Sequence, residues 1–131
     1  MKANVENWHE VITSRDLEKL SEILSEDVVF YSPVVHTPQV GKKLTQLYLS
    51  AALHIIANDT FIYIKKVIDI NETILEFEVE IDGILVNGVD IITWNNNGKI
   101  TEFKVMIRPL KGVNLIHEKM GELLLKFQQK K

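Results

Sequence analysis

Apolar residues recur at helical spacing through residue 57, and beyond it they alternate with polar ones as in strands. Val5, Trp8, Val11 and Ile12 form one stripe, which predicts a helix over 4–14. Asp16 is placed to cap a second short helix whose buried face is Leu17, Leu20, Ile23 and Leu24. "VVFYSP" (28–33) is strand-like and Pro33 ends it; Pro33, Pro38 and Gly41 then mark a loop. Leu44, Leu47, Tyr48, Ala51, Ala52, Ile55 and Ile56 predict a third helix over 42–57. Strands follow at 61–69, 73–82, 85–95 and 99–108, separated by "INE", "DG" and "NNNG". A last amphipathic helix, 113–128, carries Ile116, Met120, Leu123, Leu124 and Phe127. Helices first and an antiparallel sheet after them make an α+β domain, with no linker, repeat or low-complexity segment.

Register assigns the faces of the sheet. With Asp82-Gly83 as a two-residue turn, Ile81 pairs with Ile84, Phe77 with Gly88 and Leu75 with Asp90. With Asn95 and Gly98 flanking the next turn, Asp90 lies opposite Phe103, Gly88 opposite Val105 and Val86 opposite Ile107. One face then collects Leu75, Phe77, Val79, Ile81, Val86, Gly88, Ile92, Phe103, Val105 and Ile107, with Asp90 its single ionisable residue. A carboxyl group there is costly unless it is paired, hydrogen-bonded or protonated. Two readings follow. Asp90 is bonded to a buried hydroxyl, indole or backbone group and is structural, or it is the polar floor of a cavity with a raised pKa. Gly88, a missing side chain beside two aromatics, favours space and hence the cavity.

The opposite face carries Glu76, Glu78, Glu80, Asn87, Val89, Ile91, Glu102, Lys104, Met106 and Arg108. It reads either as a solvated face or as an isologous dimer interface, with Val89, Ile91 and Met106 at the centre and Glu76, Glu78, Lys104 and Arg108 around them.

Composition narrows the function mainly by exclusion. At 131 residues the chain fits one domain, 1–131, with a core over about 4–111. A net charge of −3 and no basic run before "KFQQKK" argue against nucleic acid and anionic membranes as partners. There are no cysteines for disulfide or thiolate chemistry. "MKANVENWHEV" lacks the apolar run of a secretory signal, and no window suits a membrane helix, so a cytoplasmic location is expected. His9, His36, His54 and His117 have no metal-ligand spacing backed by acids, and no cofactor is implied.

The chain resembles the nuclear transport factor 2-like superfamily in its SnoaL-like branch. The resemblance covers residues 4 to about 111. It rests on "SRDLEKLSEILSEDVVFYSP", the Gly41-led third helix and "VDIITWNNNGKITEFKVMIRP". It implies a cone, in which a curved antiparallel sheet (a cystatin-like roll) wraps the N-terminal helices around an apolar pocket, and often a homodimer through the convex sheet face. Activities in such folds range from isomerases and dehydratases to non-catalytic binders and dimerisation modules.

In ketosteroid isomerase the "VD…F…GK" strand-turn is similar to Val89-Asp90…Trp94…Gly98-Lys99, and the acid is a protonated hydrogen-bond donor. This chain departs from that enzyme twice: Ser32 precedes Pro33 where the isomerase has its general base, and Trp8 stands for its oxyanion Tyr. The expected occupant is a small hydrophobic molecule, with Trp8, Ser32, His36, Tyr48, Phe77, Phe103 and Val105 as pocket residues. Asp90 with His54, or else with His36, is the candidate acid–base pair of a cofactor-free lyase, isomerase or cyclase; the alternative puts His54 on the solvent side of its helix.

Overall fold

Asp82 and Gly83 both have left-handed backbone (φ 51° and 79°), the geometry of the tight hairpin turn that matches strand twist. That turn fixes the pairing of two long strands, Glu72–Ile81 and Ile84–Trp94, with Phe77 opposite Gly88 and Leu75 opposite Asp90 as expected. The computed structural model describes the backbone of residues 2–129 and the side chains of residues 4–126. Its elements are α1 (Lys2–Ser14), α2 (Leu17–Ile23), β1 (Leu24–Tyr31), β2 (Gln39–Val40), α3 (Lys42–Ile56), β3 (Ile62–Ile68), β4 (Glu72–Ile81), β5 (Ile84–Trp94), β6 (Ile100–Arg108) and α4 (Leu110–Gln129). Asp16 caps α2 by accepting from the Glu18 amide, and Arg15 donates to the carbonyl of Ala57 at the end of α3. Phe127, expected on the last helix's apolar face, lies outside the described side chains.

The six strands form one sheet in the order β2-β1-β6-β5-β4-β3. Three expectations are corrected. First, the sheet is mixed, because β1 pairs in parallel with β6 (Phe30 beside Phe103) after the chain has crossed through the other strands. Second, β1 begins at Leu24, directly from α2, and the loop after it contains the short β2.

Third, Asp90 lies opposite Val105 and Gly88 opposite Ile107, two residues from the expected register. The Asn95 amide bonds the Lys99 carbonyl (2.8 Å) and Gly98 turns with φ 73°, so three residues rather than two form the turn. A bulge between the Thr93–Glu102 and Trp94–Ile100 pairs adds the second residue of the shift. Because the shift is even, every side chain keeps its expected face.

The inner face buries Leu75, Phe77, Val79, Val86, Ile92 and Phe103 against α1, α2 and α3. Trp8 of α1 packs on Phe103 with ring centroids 4.8 Å apart. The outer face keeps an apolar row, Val67–Ile74–Ile91, across β3, β4 and β5, and a second contact, Val89–Met106. Val67 and Met106 are half exposed or more. Glu76 accepts from Asn87 on this face, and Lys104 lies over the Tyr31 ring.

Gly88 does not leave an empty space. A Cβ there would collide with Cζ of Phe77 and come within 2.9 Å of the Met106 carbonyl oxygen. The Phe77 ring lies across the glycine, as aromatics often do opposite a strand glycine. Gly88→Ala should therefore destabilise the protein by about 1–3 kcal/mol in urea titrations. Phe77→Leu should cost less in the Gly88→Ala background than in the wild type, a coupling that a double-mutant cycle reads directly.

Candidate functional site

The inner sheet face and α1, α3 and α4 enclose a cavity of about 240 Å³. Its walls are almost entirely apolar, with Phe30, Leu53, Phe61 and Ile116 typical of them. Asp90 projects into it from the middle of β5 and is only 6% exposed.

One carboxylate oxygen of Asp90, Oδ2, accepts a 2.6 Å hydrogen bond from the Tyr63 hydroxyl. Tyr63 in turn accepts from the indole Nε1 of Trp8 at 2.9 Å. Tyr63 is reached across the sheet: β3 is the edge strand, and Tyr63 pairs with Phe77, which pairs with Gly88. The Tyr63 residue as a whole is partly exposed on that edge, but its hydroxyl is enclosed between Trp8 and Asp90. Outside the relay, the His9 ring stacks on Tyr63 at 5.4 Å, with its Nε2 buried and unbonded.

The other oxygen, Oδ1, has no hydrogen-bond partner among the described residues and keeps some surface toward the cavity. Burial raises the Asp90 pKa to about 7, and the Tyr63 hydrogen bond only partly opposes the shift. Tyr63 is itself raised well above 10, first by burial and then by the neighbouring Asp90 charge. His9 is lowered, by burial and then by Lys66, which keeps its imidazole neutral near pH 7.

The cavity wall includes Trp8, Ser32, Tyr48, Phe77, Phe103 and Val105, all expected there. Two expected residues are not brought to it. His54 is exposed on the solvent side of α3 and does not face Asp90. His36 is exposed one position beyond Val35, where the wall ends.

The sequence reading missed Tyr63 and His117. Tyr63 shares strand parity with Phe61, and both rings face inward beside Phe77; the clue lay in an edge strand whose faces were not assigned. His117 joins the wall from α4, a helix whose docking the periodicity does not specify. Ser32 Oγ accepts from the amides of Val34 and Val35, so it serves the loop rather than a base. No group of three His, Cys, Asp or Glu among the described residues is arranged to hold a metal.

A cone-shaped α+β fold with one carboxyl at the end of an apolar cavity defines the class. The sequence model of the SnoaL-like domain matches residues 5–103, and the chain belongs to that family. Among solved structures it is similar to a steroid delta-isomerase from Pseudomonas aeruginosa (TM-score 0.91, 32% identity, 98% of this chain and 93% of that one). It is also similar to an uncharacterised protein with a cystatin-like fold from Silicibacter pomeroyi (TM-score 0.84, 25% identity, 96% and 92% of the chains). A de novo designed protein with a curved β-sheet shares the fold (TM-score 0.69, 21% identity, 89% and 96%). No curated protein matches. No helix among the described residues is long and apolar enough to cross a membrane.

The Asp90 shift has a definite sign in stability. Between the unfolded value of 3.8 and about 7, the folded chain holds a proton that the unfolded chain has released. Unfolding free energy therefore falls as pH rises through this window, by on the order of 4 kcal/mol in all. Asp90→Asn, which keeps an acceptor for Tyr63, should match the wild type near pH 4 and exceed it by that order at pH 8. Urea denaturation of both proteins at the two pH values measures the difference.

Proposed function

We propose that the protein binds a small, neutral, mostly apolar molecule carrying one carbonyl oxygen, which accepts a hydrogen bond from Asp90 Oδ1. The observation that carries this reading is an unpartnered carboxyl oxygen facing an apolar cavity. A structural acid would have both oxygens bonded to the protein, and leaving a buried polar atom unmatched costs about 1–3 kcal/mol. An apolar cavity of about 240 Å³ suits a small molecule of one or two rings. At pH 6 the acid is mostly neutral and can donate; above about 7 it becomes an acceptor only.

Calorimetry with 1-tetralone, a two-ring ketone, tests this. Binding should be present at pH 6 and at least tenfold weaker at pH 8.5 in the wild type. Asp90→Asn, whose amide N–H₂ still donates, should bind at both pH values, and Asp90→Leu at neither. A stable, folded Asp90→Leu that binds as well as the wild type would remove Asp90 from the site.

Catalysis is a second reading, supported by the similarity to a steroid delta-isomerase and by His117, a largely exposed residue that reaches the same cavity from α4. In it Asp90 donates to a carbonyl oxygen while a base takes a proton from the adjacent carbon. Deuterium exchange from solvent into 1-tetralone, lost in His117→Ala with binding intact, would support it. Absence of any exchange above the uncatalysed rate leaves the binding function alone.

The outer sheet face supports a homodimer. Val67, Ile74, Ile91, Val89 and Met106 form its apolar centre, and Glu76, Glu78, Lys104 and Arg108 surround them with both charge signs. Met106→Glu or Val89→Glu should give a monomer in sedimentation velocity. An unchanged dimer would place the interface elsewhere.

A further inference from the structure

We propose that Trp8 is a positioning residue: it fixes the direction of the Trp8–Tyr63–Asp90 hydrogen-bond chain, so that the chain presents a single proton to the cavity, from Asp90, and selects neutral acceptor oxygens over anionic ones at that point. This rests on the reading of the cavity as a ligand site.

The argument is one of donors and acceptors. An indole nitrogen can only donate, whereas a phenol hydroxyl has one proton to give and lone pairs to accept. Trp8 Nε1 points at the Tyr63 oxygen from 2.9 Å and occupies one of those lone pairs. The only proton on Tyr63 is then committed to Asp90 Oδ2, 2.6 Å away. In a neutral carboxylic acid the carbonyl oxygen is the better acceptor, so Oδ2 takes that role and the acid proton sits on Oδ1. Oδ1 is the oxygen open to the cavity.

Tyr63 lines the cavity too, yet its proton is turned away from any occupant. A tyrosine in place of Trp8 would both donate and accept, and the chain could then run in either direction. Two donors converging on one point would suit an oxyanion; a single donor at that point, beside mostly apolar walls, suits a neutral carbonyl and leaves an anion poorly solvated. The other titratable groups near the chain are His9 on α1, stacked on Tyr63, Lys66 on β3 and Glu6 on α1 beside His9, and Tyr48 and His117 on the wall from α3 and α4. None of them donates to Asp90.

The test compares 1-tetralone with 2,4-dinitrophenolate, both measured by calorimetry at pH 6. The wild type should bind the ketone and exclude the anion. Trp8→Phe frees the Tyr63 oxygen to accept from Asp90 and its proton to turn to the cavity. The ratio of anion to ketone affinity should then rise about tenfold or more. A merely structural loss of Trp8 packing on Phe103 would weaken both probes together and leave the ratio fixed; that result overturns the proposal.

Should Trp8→Phe fail to fold, Tyr63→Phe decides the matter. With no phenol proton to release, it should still exclude the anion. Losing a donor to the carboxylate should also extend ketone binding to higher pH. Anion binding gained in Tyr63→Phe would refute the role assigned to Trp8. Absence of ketone binding in the wild type would instead remove the ligand reading, and this proposal with it.

Discussion

The hydrogen bond from Tyr63 to Asp90 joins the edge strand of the sheet to its centre, across the whole width of β4. A carboxyl group on an apolar sheet face needs either donors or a proton. This protein supplies part of each: one donor at Oδ2, and burial strong enough to hold a proton on the acid up to about pH 7. The same bond fixes where α1 sits, because Trp8 must reach the Tyr63 oxygen while its ring packs on Phe103. Helix, edge strand and central strand are thus tied through three polar atoms, and the apolar cavity opens beside them.

The cavity is a consequence of how the large side chains are directed. Phe77 lies flat over Gly88 and stacks with Phe61 at 5.3 Å, which keeps both rings along the wall. The remaining space is closed from outside by α4, which contributes Ile116, His117, Met120 and Leu124. Compared with the isomerase pattern, the acid in the sheet is kept while Ser32 and Trp8 replace the residues expected for proton abstraction and for a second oxyanion donor. What remains in the sheet is one buried acid, with its proton held by burial.

Much of this was legible in the chain. Strand alternation placed Asp90 among apolar neighbours, and the Asp82-Gly83 pair fixed the β4–β5 register residue by residue. The β5–β6 register differs by two residues from the expected one, one from the Asn95–Lys99 turn and one from the bulge, yet the faces survive because side-chain direction has a period of two. Gly88 is special as its place on the inner face suggests, but it admits a ring rather than a void. His54 and His36 were less accessible to such reasoning, since helical spacing that only grazes a residue, or a loop without regular geometry, does not fix a direction.

The sequence by itself determined the α+β class, the order of the helices and the long strands, the sheet's two faces and the presence of one acid on the buried one. These follow from local periodicity and turn chemistry, which act between near neighbours in the chain. Only the tertiary structure decided which groups meet that acid. Tyr63 comes from a strand 27 positions away and Trp8 from a helix 55 positions before Tyr63. The parallel pairing of β1 with β6 and the seat of α4 are likewise set by long-range packing. Periodicity says that a side chain points inward; what it touches there depends on the curvature of the sheet and the helices laid against it.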